Sequence, residues 1–267
     1  MKFALNHMTA PAMPVADFFA LAISLGITAV EIRNDLADNA ILDGTAPAEI
    51  RRLAADRGVE IISINALQRF NEWTDARAGE ADELIAYARD CGAKALVLVP
   101  KNDGTGLKDG ERQQNLREAL SALKPRLEAT GVIGLVEPLG FAVCSLRSKQ
   151  EAADAIREVG GENVFRLVHD TFHHHLAGEP AIFPALTGLV HISGVTDPSV
   201  AVADMRDSHR VLVDPADRLD NIGQILALQA AGYNGPFSFE PFADSVHALS
   251  DPSAAVKASM DYIRAAI

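Results

Sequence analysis

The sequence predicts a (β/α)8 barrel of the TIM barrel type, built as a single domain over residues 1–267. Three observations carry that expectation. Eight short apolar runs recur along the 267 residues. Stretches with helical spacing of apolar residues separate most of them, and six of those stop at a glycine. The strand-like runs tend to end on a polar or charged residue, which suits a barrel whose site is built at the strand ends.

The runs read as strands are 3–6, 29–33, 60–65, 95–100, 133–137, 165–170, 189–193 and 236–240. Continuous apolar runs of this length fit strands buried on both faces, as in a parallel sheet. The helical stretches are 15–25 before Gly26, 47–57 before Gly58, 79–91 before Gly92, 109–130 before Gly131, 148–159 before Gly160 and 219–231 before Gly232. A glycine just past a helix is a stop signal, because it takes left-handed φ without a Cβ clash. Strand–helix alternation implies parallel pairing. Eight units in 267 residues average about 33 residues each, which suits a closed barrel. The rival, an open doubly wound sheet, lacks a glycine-rich phosphate fingerprint at the first strand–helix junction, residues 6–15. Two connections are irregular. Residues 173–180 leave room for one helical turn between the sixth and seventh strands. Residues 194–218 read as a long loop, a candidate lid.

The chain is 48% hydrophobic, enough for a sizeable core. Its formal net charge of -12 disfavours nucleic acid as a partner, and no basic run exceeds the Arg51–Arg52 pair. Cys91 and Cys144 make no zinc-finger spacing and read as buried, reduced thiols. No apolar run approaches membrane-spanning length, and the first residues lack a signal-peptide pattern. A cytoplasmic enzyme is the resulting expectation, with no membrane partner.

The chemistry lies in what the strands end with. The fifth ends in Val136-Glu137-Pro138, the sixth in His169-Asp170-Thr171 and the eighth in Phe239-Glu240-Pro241, while the seventh carries His191-Ile192-Ser193. A lone strand-end glutamate is usually a rim residue, and a lone histidine after a valine is usually a satisfied core residue. Four such residues on four successive strand ends are a different matter. Three carboxylates brought together repel one another and need a counter-charge, which one divalent cation supplies. Oxygen ligands with one imidazole suit Mn²⁺ first, with Mg²⁺, Co²⁺ or Zn²⁺ as alternatives. His169 is expected to point into the barrel wall or a helix interface, and at most one of His174 and His175 to face the site. Arg33, Asn65 and Lys101 sit at or just past strand ends, where they can line a substrate pocket or serve as rim and turn residues. Phe70 and Trp73 can wall a ligand or pack a loop.

These residues resemble the sugar isomerase/epimerase family of xylose isomerase-like barrels, closest within it to the inosose isomerases. The segments that carry the likeness are Leu5–Thr9, Val30–Arg33, Asn65–Leu67 with Phe70-Asn71, Val97–Pro100, Val136–Gly140, Asp170–His175 and Phe239–Phe242. The resemblance implies that Glu137, Asp170, His191 and Glu240 match the metal ligands. It implies that His173 contacts a substrate hydroxyl and that Arg210 binds substrate; a surface pairing of Arg210 with Asp207 or Asp214 is the plainer reading. Relatives often carry acidic residues where this chain has Ser193-Gly194, and a Pro-Gly turn where it has Val211–Asp217.

The activity so implied is metal-dependent isomerisation of a polyhydroxy ketone, 2-keto-myo-inositol-like, through a cis-enediolate. Glu137 and Glu240 then move the protons, and the partner is a small polyol or ketose. A ketose 3-epimerase or hydroxypyruvate-type isomerase would use the same site, as would an inosose dehydratase. A barrel endonuclease would need more metal ligands and a basic groove. A non-catalytic sugar-binding barrel would be expected to lose one of the glutamates. A homodimer is compatible with the sequence, though no residue marks an interface.

Overall fold

The computed structural model describes residues 1–267. Eight strands form one closed, all-parallel barrel in the order β1 to β8, each paired with the next and β8 with β1. They are β1 (Lys2–Asn6), β2 (Ala29–Arg33), β3 (Glu60–Gln68), β4 (Ala95–Val99), β5 (Ile133–Val136), β6 (Phe165–Asp170), β7 (Thr187–Ile192) and β8 (Pro236–Phe239). The helices are α1 (Val15–Ser24), α2 (Pro47–Arg57), α3 (Asp75–Cys91), α4 (Glu111–Thr130), α5 (Lys149–Glu158), α6 (Thr171–Ala177), α7 (Asn221–Ala230), α8 (Asp244–His247) and α9 (Pro252–Ala266).

The six glycines read as helix stops all have positive φ, between 59° and 94°. At Gly58 this is a left-handed cap whose N–H reaches the carbonyls of Ala54 and Ala55, closing α2. Helix α3 starts at Asp75 rather than 79, because Thr74 caps it by accepting from the Arg77 N–H. Helices α8 and α9 extend the chain beyond the sequence reading. The signals for α9, Asp251 as N-cap and Pro252 in the first turn, were present. Residues 194–218 are loop with two 3-10 turns, Val202–Asp204 and Asp207–His209, pinned at its base by a bridge between Gly194 and Val211. No helix is long and apolar enough to cross a membrane.

Two apolar layers hold the barrel. A cluster of 52 buried residues fills the space between sheet and helices, including Ile32, Leu96, Leu98, Val136 and Val190. A smaller one, of Ala66, Ala95, Val97, Leu135, Val168 and Leu189, fills the barrel's interior. Side chains alternate along a strand. So the positions two beyond Leu135, Val168 and Leu189 also point inward, and these are Glu137, Asp170 and His191. The same period aligns Glu31 with Arg33, Ser63 with Asn65, and Ser238 with Glu240. The lower interior is thus apolar and the upper interior polar. His169, out of phase, leaves the barrel: its Nε2 lies 2.9 Å from Gln224 and its ring packs on His174 at 4.6 Å.

Candidate metal centre

The four strand-end residues converge. One ligand atom from each of Glu137, Asp170, His191 and Glu240 lies within 4.8 Å of the other three, and all four residues are buried. His191 is central. Its Nδ1 is 2.9 Å from Glu137 Oε1, 3.2 Å from Glu240 Oε2 and 3.9 Å from Asp170 Oδ2. Backbone pairing sets two of the carboxylates: Glu137 N–H donates to the Leu98 carbonyl and Glu240 N–H to that of Ile192. Asp170 ends β6 and caps α6, its Oδ1 accepting from the N–H groups of Phe172 (2.7 Å) and His173 (3.1 Å). That leaves Oδ2 facing the centre.

Glu31 is a fifth member that the strand-end argument missed. It sits inside the barrel with no exposure and accepts from Ser63 (2.6 Å), Asn65 (2.8 Å) and Ser238. Its Oε2 is 3.2 Å from His191 Nε2. The signal was a glutamate inside the apolar run of β2, facing the same way as Arg33. A carboxylate behind a ligating imidazole fixes its tautomer and direction. Replacing Glu31 by glutamine is therefore expected to weaken divalent-metal affinity about 10–100-fold. Calorimetric titration measures this; an unchanged affinity would show that His191 is held by other groups.

Charge balance tests whether the residues fit a cation. Four buried carboxylates, Glu31, Glu137, Asp170 and Glu240, face two buried guanidiniums, Arg33 and Arg210. Arg33 joins Glu240 Oε1 (3.0 Å) to the rim residue Asp35 (2.7 Å). Arg210 spans Asp170 Oδ2 (2.6 Å) and Glu240 Oε2 (3.0 Å), and is packed over Phe172 and Phe242. Two negative charges remain uncompensated, which one divalent ion with a neutral imidazole balances. The donor set of three carboxylates and one nitrogen suits such an ion.

In the metal-free protein, protonation of His191 makes part of that balance. Burial disfavours its charged form, but Glu240, Glu31 and Glu137 outweigh burial and hold it well above the usual histidine range. Glu137, whose burial dominates, is pushed up, whereas Glu240 is held down against burial by His191, Arg210 and Arg33. The His191 charge thus stabilises the metal-free fold fully below the ordinary histidine range, and that contribution fades as pH rises through the raised value. A metal must displace this proton. Loading at neutral pH is expected to release a proton, read from calorimetry in two buffers of different ionisation enthalpy. A buffer-independent heat would show that His191 is already neutral.

A cavity of about 220 Å³ opens onto this centre. Arg33, Asn65, His173 and Arg210, four of the five expected substrate contacts, line it together with Glu137 and Glu240. Lys101 is not brought there. It turns outward to pair with Glu72 in a separate polar hollow, because the loop after β4 carries it past the rim. Arg210 does pair with Asp207 at 3.1 Å, but with its body buried across the ligands, and Ser193 Oγ accepts from its Nε at 2.9 Å. Phe70 is core and Trp73 packs beside Arg126, so neither walls the cavity. Phe141 and Phe242 do. His174 faces Lys149, with Nδ1 2.6 Å from Nζ.

Comparisons with known proteins agree with this architecture. Among curated proteins, the chain is 25% identical over 206 residues to an inosose isomerase of Bacillus velezensis, covering 72% of this chain and 70% of the relative. It is 29% identical over 247 residues to a 3-dehydroshikimate dehydratase of Pseudomonas aeruginosa, covering 86% of this chain but 36% of that longer protein. Among solved structures, a xylose isomerase domain-containing protein from Salmonella typhimurium LT2 superposes with a TM-score of 0.90 at 34% identity, covering 99% and 96% of the two chains. The IolI protein, solved with a bound zinc atom, superposes with a TM-score of 0.88 at 21% identity over 100% and 99%, a likeness of fold. The family described as xylose isomerase-like TIM barrel matches residues 19–266, and with a closed eight-stranded barrel behind that match, this chain belongs to it.

Proposed function

We propose that this protein is a metal-dependent isomerase of polyhydroxy ketones that works by proton transfer through a cis-enediolate. The observation that carries the reading is the four-residue centre, in which both glutamates line the cavity where a substrate would lie. A divalent ion held by Glu137, Asp170, His191 and Glu240 would act as a Lewis acid toward the carbonyl and neighbouring hydroxyl oxygens of the substrate.

The chain's own groups do the rest. Glu137 and Glu240 approach from strands three apart in the barrel. One removes the proton from the hydroxyl-bearing carbon beside the carbonyl and the other returns a proton to the former carbonyl carbon, while the hydroxyl proton passes to the other oxygen, moving the carbonyl by one position. General acid–base help of this kind contributes about 10²–10⁴-fold. Glu240 is held anionic by two arginines, whereas Glu137 has His191 as its side-chain partner. Arg33, Asn65 and His173 orient substrate hydroxyls. Phe141 and Phe242 give the pocket part of its apolar wall.

The similarity to an inosose isomerase makes 2-keto-myo-inositol the first substrate to test. With metal-loaded protein in D₂O, proton NMR is expected to show deuterium uptake next to the carbonyl together with a positional isomer as product. Chelation is expected to stop both. Exchange without a positional isomer would replace isomerisation by epimerisation. A second reading, expulsion of a β-hydroxyl from the same enediolate, is favoured by the similarity to a dehydratase, and the same spectra would show it as loss of water.

A further inference from the structure

The metal cavity continues outward. Asn102, Phe141 and Asp207, which line it, also line a second and larger cavity of about 620 Å³. This annex lies between the loop after β5, helix α6 and the 3-10 turns of the long β7 loop. Part of its wall is apolar, from Phe141, Leu176 and the exposed Val143 and Val202. The rest includes two arginines, Arg147 and Arg206.

Neither arginine sits on a carboxylate. Arg147 donates to the carbonyls of Gly140 and Leu176, and Arg206 to those of Ala203 and Met205. Three other arginines near the barrel mouth are claimed by carboxylates, Arg33 by Asp35 and Glu240, Arg69 by Glu72 and Asp103, Arg210 by Asp170, Glu240 and Asp207; Arg218 also donates only to carbonyls but lines neither cavity. At the neck between the cavities stands Asn102, whose Oδ1 is buried and has no donor. A buried acceptor without a partner is costly to leave unmet; Asn102 lines both cavities, so a turn of its side chain would present this oxygen to a ligand at the neck.

The inner cavity is the poorer place for an anion: Glu137, Glu240, Asp35 and Asp207 line it, and both of its arginines are already paired. It is also smaller than the roughly 300–1,000 Å³ usual for ligand sites. In the annex Asp207 is the one carboxylate in the lining, and Arg147 and Arg206 spend only part of their donors on carbonyls, leaving N–H groups that suit a carboxylate or phosphate.

We propose that the preferred substrate is a polyhydroxy ketone carrying an anionic group, carboxylate or phosphate, remote from the reacting carbonyl. The ketone end occupies the metal cavity. A hydroxyl at the neck donates to Asn102, and the anion lies in the annex against Arg147 and Arg206. The proposal rests on the enediolate reading for the ketone end only.

The test uses the metal-loaded full chain and three probes: neutral 2-keto-myo-inositol, the keto-acid 3-dehydroshikimate, and D-ribulose 5-phosphate. Binding is followed by calorimetry and, separately, proton exchange by NMR in D₂O. One of the two anions is expected to bind at least tenfold more tightly than the neutral ketone, and to lose affinity as salt rises; which one identifies the group. In Arg206→Gln the ratio of anionic to neutral affinity is expected to fall about tenfold, with part recovered in Arg206→Lys. Arg206 lies exposed on a loop, so these variants leave the barrel intact. Equal or weaker binding of both anions than of the neutral ketone overturns the proposal, as does a ratio that Arg206→Gln and Arg147→Gln leave unmoved. Arg206-dependent anion binding without proton exchange would sustain the annex and sink the isomerase reading. Exchange of the neutral ketone with no preference for anions would do the reverse.

Discussion

Glu240→Gln is expected to reduce kcat by at least about 10²–10⁴-fold, the scale of a lost acid–base group. The substitution keeps the shape of the side chain and removes its charge and its ability to take a proton. It also removes one of three carboxylates from the metal centre, so metal affinity is expected to fall alongside. The fold should survive. Arg33 retains Asp35 and Arg210 retains Asp170 and Asp207, so neither guanidinium is left alone. The loss must therefore be measured at saturating metal, with loading checked on the same sample. Glu137→Gln separates the roles further, because Glu137 binds neither arginine and sits against His191. If Glu240→Gln, fully loaded, turned over within tenfold of the parent, proton transfer would have to be assigned to other groups.

The sequence disclosed the barrel and the four converging residues for one physical reason. A parallel strand buried on both faces reads as an unbroken apolar run, and a charged residue at its end stands out. The same contrast explains what was hidden. Glu31 lies within its strand rather than at its end, and the period of two that turns it toward His191 was masked by apolar neighbours. Lys101 follows an apolar run just as Glu137 does. Yet the chain after β4 leaves the barrel axis, and the side chain meets Glu72 instead of the cavity. Nothing in the local sequence separates those two outcomes, which the path of the loop decides. The annex was equally invisible, because its walls come from residues near 102, 140, 176 and 203, brought together only by closure of the barrel. Helix α9 is a different case: Asp251 and Pro252 signal its start, but no strand follows it to complete a further unit of the alternation.

Arg210 is the residue whose removal should cost the metal-free protein most. It is 1% exposed, spans two carboxylates of the centre and is sandwiched by Phe172 and Phe242, at 5.1 and 4.6 Å from the ring centres. Arg210→Met fills comparable space and leaves Asp170 and Glu240 facing each other without it. Breaking a buried pair by deleting one partner costs about 3–5 kcal/mol. At about 2–4 °C per kcal/mol for a chain somewhat smaller than this one, Tm should drop by roughly 6–20 °C in chelator. A divalent ion supplies positive charge to the same carboxylates, so it should raise Tm more in the variant than in the parent. Arg210→Lys should recover only part of the loss, since an ammonium cannot hold Asp170, Glu240 and Ser193 in one planar fork. A residue that served only to bind substrate would behave otherwise: Tm would not move in chelator, the metal increment would match the parent's, and the defect would lie in KM. The comparison of four melting curves, two proteins with and without metal, thus decides whether Arg210 belongs to the charge balance of the centre or to the substrate alone.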